Sequence, residues 1–311
     1  MDGSVLPRVL REALGAAGLN RRALVAAASV PDRALPGGLA LNRVCRPDVW
    51  DDADWMAFNR ALALPQGEAR FHRKGFEWTH CVYGFERLGV LGPSCRALGV
   101  AAGHEPVLYY LANRTALTVG IDLYSGDFAA GGAEEAAPDI LTDPDRYAPF
   151  PYRRERLALL PADGLRLPFR SNSFDVVFSL SSIEHFGGHA AAAQAVREMD
   201  RVLRPGGIAC IATEYVLEGK DHHEFFTESQ LRDHVVTAAA LVPVDELDLR
   251  PPPRAFFDDP IRPPDVLRVP HIVIDVEGTF LTSVVLFLRK PTRSEWARLA
   301  GRAVARRWSR H

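Results

Sequence analysis

From Cys95 onward the chain alternates short apolar runs with longer stretches whose apolar positions recur every three or four residues. The runs cover 97–101, 116–121, 157–160, 174–180, 208–212, 242–247 and 281–288. The first five are apolar at both odd and even positions. This predicts strands buried on both faces, as in a parallel sheet covered by helices. Helices fit between them. The stretch 104–113 carries Pro106 in its first turn, with Val107, Tyr110 and Leu111 on one face. The stretch 189–203 repeats at Ala192, Ala195, Val196, Met199, Val202 and Leu203, then stops at Pro205-Gly206-Gly207. Thr227 with Gln230 predicts a capping box for a helix reaching Ala240.

Residues 1–92 follow a different rhythm and predict an N-terminal helical extension or cap. Leu6, Val9, Leu10 and Leu14 recur at helical spacing, as do Trp55, Phe58 and Leu62 behind Asp51 and Asp52. Pro31, Pro36, Gly37 and Gly38 break the chain between them. The expected organisation is a cap over 1–92, an α/β domain over 93–290 and a basic amphipathic tail over 291–311. The α/β domain is expected to be a Rossmann-like, seven-stranded, mostly parallel sheet with helices on both faces. An antiparallel excursion through 242–247 and 281–288 would end it. Segments 125–156 and 250–269 break the alternation, and loops of that length are usually lids or insertions.

Composition narrows the class. In 311 residues, 47% are hydrophobic and 24% charged, which excludes a disordered chain, a coiled coil and a collagen-like repeat. Net charge is −2, so no global basic field attracts nucleic acid. That figure conceals an asymmetry: 291–311 holds six Arg against one Glu, a local +5 on a body of −7. Cys45, Cys81, Cys95 and Cys210 show no C-x-x-C spacing, so free thiols in a reducing compartment are expected. Arg8, Arg11, Glu12, Arg21 and Arg22 interrupt the Ala- and Leu-rich start, which argues against a signal peptide. No run of 18 uncharged apolar residues suggests a membrane span. A soluble, cytoplasmic protein is the expectation.

Two strand ends carry candidate chemistry. The first strand runs into Gly99-Val100-Ala101-Ala102-Gly103-His104-Glu105-Pro106 before a helix. Small residues there let a ligand approach the backbone, and the free N–H groups of a helix start favour anionic groups. The second strand ends at Asp122, 19 positions after Gly103, where a carboxylate can accept both hydroxyl hydrogen bonds of a ribose. A solvated strand-end Asp is the plainer alternative, but the two features together favour bound adenosine.

Further along stand Asp163-Gly164-Leu165-Arg166-Leu167-Pro168-Phe169, then Phe174-Asp175-Val176-Val177-Phe178-Ser179-Leu180-Ser181-Ser182-Ile183-Glu184-His185, then Arg201-Val202-Leu203-Arg204-Pro205-Gly206-Gly207. In this order the blocks resemble the class I S-adenosylmethionine-dependent methyltransferases, in particular their methyltransferase type 11-like group, well over 95–216 and weakly on to Lys290. The resemblance implies S-adenosyl-L-methionine as cofactor. It assigns Gly99, Ala101, Gly103 and Glu105 to the glycine-rich turn, with Glu105 where the family's third glycine is usual. It assigns Asp122 to the ribose, Asp163 with Gly164 to the adenine amino group, and Ser179, Ser181 and Ser182 to the strand end beneath the sulfonium. Asp175 reads as structural.

A hydroxyl acceptor must lose a proton as it is methylated. His185, just past the fourth strand, is the first candidate base, and orienting the cofactor or a loop is its alternative role. Glu184 is the second candidate base, or it pairs with a helix N-terminus. Glu214, Asp221, His222, His223 and Glu224 could join His185 around a divalent metal. Adjacent His222 and His223 cannot easily both ligate, so no metal is favoured. Residues 71–78, from Phe71 through Arg73 and Lys74 to Trp78, would suit a lid over the cofactor carboxylate or a sugar, or simply start a surface helix. Trp296, Leu299, Ala300, Ala303, Val304 and Trp308 recur helically among arginines. They would form a docked helix or a peripheral membrane contact.

The expected activity is O-methylation of a small-molecule or saccharide, including glycolipid, acceptor, with no nucleic-acid partner and an undetermined oligomeric state. One rival is a nicotinamide-dependent oxidoreductase, although G-x-G-x-x-G is absent. The other is a non-catalytic binding module on the same fold, which the substituted glycine turn motivates.

Overall fold

A computed structural model describes residues 37–124, 137–265 and 267–296. Five parallel strands form the centre of one sheet: β2 (Arg96–Val100), β3 (Leu117–Asp122), β4 (Leu157–Pro161), β5 (Phe174–Leu180) and β6 (Leu203–Glu218). Their spatial order is β4-β3-β2-β5-β6. Next to β6 lies antiparallel β10 (Thr279–Arg289), in a register that sets Glu214 opposite Ser283 and Cys210 opposite Phe287.

Three short strands share the other edge of β10: β9 (Ile274–Val276) at one end, β1 (Asn42–Val44) in the middle and β7 (Val242–Pro243) at the far end. β8 (Leu247–Asp248) pairs in parallel with β1. The α/β class and the mostly parallel sheet agree with the sequence expectation, but among the described residues the sheet has ten strands, not seven. The run 242–247 divides into β7 and β8, and β1 and β9 are added. Segments of two or three residues are too short to show a period of two, so the hydrophobic pattern does not signal them.

Alternate residues of each central strand enter opposite cores. Val176, Phe178, Leu180 and Cys210 pack with α2 (Arg73–Arg87) and α3 (Pro106–Arg114). Val177, Ala209 and Ile211 pack with α4 (His189–Val202) and with Val235. Helix α1 (Ala53–Ala61) is capped by Asp52, which accepts the Trp55 N–H at 2.8 Å, and buries Trp55 against α2. The Thr227–Gln230 capping box is present, but its helix is one turn (Glu228–Leu231) that widens into a π-turn over Arg232–Val236.

The Pro205-Gly206-Gly207 block has a packing role. A Cβ on Gly207 would lie 2.7 Å from the Asp175 carbonyl oxygen, and the two glycines exchange backbone hydrogen bonds with Lys290. The buried Lys290 ammonium donates to the Asp200 and Leu203 carbonyls at 2.5 and 2.8 Å, placing a cation on the C-terminus of α4.

All four cysteines are buried and free. Among the described residues no helix is long and apolar enough to cross a membrane. The helix expected around Leu6–Leu14, and most of the basic tail beyond the buried Trp296, lie outside the described residues.

Two glycines of α2 test how this helix seats on the sheet. A Cβ on Gly84 would fall 2.1 Å from the Phe287 ring, whereas one on Gly75 would meet nothing closer than 3.9 Å. Gly84→Ala should therefore destabilise by about 1–3 kcal/mol through overpacking. Gly75→Ala should stabilise by up to about 1 kcal/mol through helix propensity. Urea midpoints of the two variants should move in opposite directions.

Candidate functional site

The chain leaves β2 toward β3 on one side, while β5 lies on the other, so the topological switch point falls at the C-terminal end of β2. A cavity of about 390 Å³ opens there. The loops after β2, β3, β4 and β5 line it. Three non-glycine residues in these loops hold left-handed backbone: Ala101 (φ +50°), Tyr124 (+49°) and Ser181 (+49°), beside Gly103 (+45°). Such conformations cost on the order of 1–2 kcal/mol each. Two of the three, Ala101 and Ser181, line the cavity.

Of the turn residues singled out by sequence, Ala101, Gly103 and Glu105 line the cavity and Gly99 does not. Gly99 lies inside β2, where a Cβ would strike the Phe178 ring at 2.6 Å, so its role is packing. The left-handed position is Ala101 instead.

Asp122 and Asp163 both line the cavity. The Asp122 carboxylate accepts the Gly103 N–H at 3.2 Å and the Tyr124 N–H at 3.4 Å, which ties the first two loops together. Asp163 accepts the Leu165 N–H at 2.8 Å in an Asx turn. Gly164 is required by contact, because a Cβ there would sit 2.7 Å from the Phe186 ring.

Ser181 and Ser182 line the cavity, and the Ser182 hydroxyl donates to the Ala101 carbonyl at 3.0 Å, joining the β5 loop to the β2 turn. Ser179 is fully buried within β5 and does not line it. Sequence reasoning missed Leu123, Leu165 and Phe186, apolar plates in the same wall. The available signal for Leu123 was an apolar residue directly after a strand-end acid, where a solvated turn would be polar. Leu123 is 62% exposed.

His185 and Glu184 are chain neighbours that face different surroundings. His185, on the 3-10 turn Ile183–Phe186, lines the cavity with Nδ1 3.7 Å from Glu224 Oε1. Glu184 is fully buried away from it and accepts the Thr213 hydroxyl at 3.0 Å. Burial, reinforced by the Glu214 carboxylate, pushes the Glu184 carboxyl up to about 8.

Of the other residues weighed for a metal, His223 approaches the same Glu224 oxygen at 4.0 Å, while Glu214 and His222 are engaged elsewhere. Glu214 is held by Arg73 at 2.7 Å, His222 stacks on Phe225 with centroids 4.0 Å apart, and His223 is exposed. Among the described residues no group of three or more His, Cys, Asp or Glu is arranged to hold a metal ion. Residues 71–78 start a helix, α2, which is buried at Gly75, Phe76 and Glu77 rather than lying on the surface, and none of them lines the cavity.

Residues 98–211 match a family model described as a methyltransferase domain. The chain is 30% identical over 173 residues to methyltransferase GfsG of Streptomyces halstedii, covering 53% of this chain and 56% of that one. It is 30% identical over 118 residues to a tRNA (carboxymethyluridine(34)-5-O)-methyltransferase of Schizosaccharomyces pombe, covering 37% and 50%. The chain spans about half the length of these relatives, and 14% of a bovine tRNA methyltransferase-named one. Among solved structures, a SAM-dependent methyltransferase from Aquifex aeolicus superposes with a TM-score of 0.39 at 12% identity, covering 76% of this chain and 99% of that one.

The Glu184 environment has a measurable consequence. Its carboxyl titrates near 8 in the folded protein and near 4.5 when unfolded, so between these values the folded state binds more protons. This contribution to stability is present below pH 4.5 and is lost as pH rises toward 8. Buried His80 and His271, both pushed down to about 3, slope the other way below pH 6.5. The comparison with Glu184→Gln isolates the Glu184 part. The variant should gain stability relative to the wild type as pH rises from 5 to 8, read from urea midpoints. A constant difference would remove the assignment.

Proposed function

We propose that this chain, whose residues 98–211 belong to the class I S-adenosylmethionine-dependent methyltransferases, transfers a methyl group to a hydroxyl of a small-molecule or saccharide acceptor. The observation that carries the reading is the pairing of two acceptor-only carboxylates, Asp122 and Asp163, with apolar plates around one strand-end cavity. An adenosine offers two ribose hydroxyls and one amino group as donors, and its base needs apolar walls. The donor set of the ligand and the acceptor set of the site are complementary.

S-adenosylmethionine, when bound, supplies a methyl group on a sulfonium. The protein's part is alignment and proton handling. Asp122 accepts the ribose hydroxyls while its second hydrogen bond keeps the Gly103 turn closed. Asp163 would receive the adenine amino group, and Leu123 and Phe186 would supply apolar wall to the base. The Glu105 carboxylate, at the start of α3, would be the anionic partner of the cofactor's ammonium. Ser182 holds the β5 loop against the β2 turn, which fixes the path between donor and acceptor. His185 takes the acceptor's proton at Nε2, and the Glu224 carboxylate, 3.7 Å from Nδ1, favours the charged imidazolium that results.

The acidic body argues against a polyanionic acceptor. With −7 before position 291, binding of nucleic acid would work against the protein's own field.

Calorimetry with S-adenosylhomocysteine should give one-site binding, and NADH should give none. The reverse pattern would replace this reading with a nicotinamide enzyme, and silence from both would favour a non-catalytic module. Asp122→Ala should weaken S-adenosylhomocysteine at least tenfold, since a hydrogen bond to a charged group contributes about 1.5–3 kcal/mol. His185→Ala should lower turnover by about 10²–10⁴ while changing cofactor affinity only a few-fold. Unchanged turnover would take His185 out of the chemistry.

A further inference from the structure

We propose that Tyr147, on the segment between β3 and β4, is a positioning residue for the cofactor. Its ring, packed on His104, holds the turn from Gly103 to Glu105 in the shape that receives the cofactor's amino-acid end. This role rests on the S-adenosylmethionine reading and deepens it.

Residues 137–156 belong to the stretch that breaks the alternation of strands and helices in the sequence. They lie as a strap along α3. The Tyr109 hydroxyl donates to the Pro144 carbonyl at 2.9 Å, and the Tyr109 and Tyr152 rings meet edge-on with centroids 4.9 Å apart. One helical turn later, Asn113 Nδ2 donates to the Pro151 carbonyl and Asn113 Oδ1 accepts the Arg153 N–H, each at 3.0 Å. Residues four apart share a helix face, so Tyr109 and Asn113 hold the strap on one side of α3. Tyr147 ends the 3-10 turn Pro144–Tyr147, and its hydroxyl donates to Asp139 at 2.5 Å.

Through Tyr147 the strap reaches the cavity's first loop. The Tyr147 and His104 rings have centroids 4.8 Å apart and planes at 32°. His104 Nδ1 is buried without a hydrogen-bond partner, so ring contact rather than a bond at that atom seats the imidazole. Gly103 and Glu105 line the cavity, and His104 between them does not. The strap therefore grips the one residue of this turn that leaves the ligand space free.

The turn needs such support. It follows left-handed backbone at Ala101 and opens with more at Gly103, conformations that persist where the surroundings enforce them. Asp122 restrains it through the Gly103 N–H. Tyr147 restrains it one residue further on, beside Glu105, whose carboxylate makes no capping bond to α3. The two restraints would serve different parts of the ligand: Asp122 the ribose, and Tyr147 the amino-acid end.

Two probes separate those parts. S-adenosylhomocysteine carries the amino-acid end, and 5′-methylthioadenosine keeps the adenosine and the thioether without it. Calorimetry on the full chain measures both, the weaker by displacement. Tyr147→Leu should weaken S-adenosylhomocysteine about fivefold or more, the scale on which an aromatic pair contributes. Methylthioadenosine should stay within about twofold, the scale of independent sites. Tyr147→Phe keeps the ring and gives up the Asp139 bond, and should bind both ligands within about twofold of wild type. His104→Ala should reproduce the Tyr147→Leu pattern, and the double variant should lose no more than either single one, because both act through one contact. His104→Ala also carries the comparison if Tyr147→Leu does not fold.

Equal weakening of both ligands would make Tyr147 a general support of the fold and overturn the proposal. Unchanged S-adenosylhomocysteine affinity, loss in Tyr147→Phe, or additive losses in the double variant would overturn it as well, with the cofactor reading left standing. A wild-type chain silent toward both ligands would instead bring down the cofactor reading, and this proposal with it.

Discussion

The antiparallel register between β6 and β10 is the constraint on which the rest depends. It pairs Ile208 with Arg289 at one end and Glu214 with Ser283 toward the other. Side chains alternate across a strand, so a slip of one residue would send every apolar contact to the wrong core and drive Glu214 in among the α4 contacts. In the observed register Glu214 and Ser283 share the face that α2 covers, and Arg73 reaches both. The same pairing carries Lys290 to the end of α4, where its ammonium satisfies helix carbonyls. Core packing on one side and polar chemistry on the other thus follow from a single choice of register.

The stretch from Ser181 to Phe186 divides two environments. Ser181, Ser182, His185 and Phe186 face a cavity open to ligand, and Glu184 points into the interior. The left-handed backbone at Ser181 supports this division, since an extended continuation of β5 would carry the following residues along the sheet. The two carboxylate environments differ as their surroundings require. Asp122, held by backbone N–H donors at the cavity, is suited to accept hydrogen bonds. Glu184, without a cation in direct contact and beside Glu214, keeps its proton.

Much of the cavity's lining was legible in the sequence because its determinants are local. The turn from Ala101 to Gly103, the acid ending β3 and the Asp163-Gly164 pair each lie at a strand end that the apolar runs delimit. Gly99 is the instructive exception. Its lack of a side chain reads as freedom for a ligand, yet the Phe178 ring on the neighbouring strand requires it, and no local pattern reveals that contact. Glu184 presented the same difficulty, since nothing in the sequence around it tells that its neighbour faces the cavity while it faces Thr213. Strands β1 and β9 escaped notice because three residues carry no periodicity and gain stability only from the β10 edge.

The division between local and distant determinants also runs through function. The segment matched by the methyltransferase family model, 98–211, contains Asp122, Asp163, Ser182 and His185. Arg73, Glu77, Glu214, His271 and Ser283 all lie outside it and are brought together only when α2 and β10 close on the central strands. A cofactor site demands much the same groups wherever it occurs, because its ligand does not change. Here the buried ion-pair cluster is built from chain segments on either side of the matched segment. Arg73 thus ties α2 to both β6 and β10. Its guanidinium pairs with Glu77 and Glu214, Lys74 pairs with Glu77 as well, and Glu184, with no such partner among the described ion pairs, keeps its proton through burial.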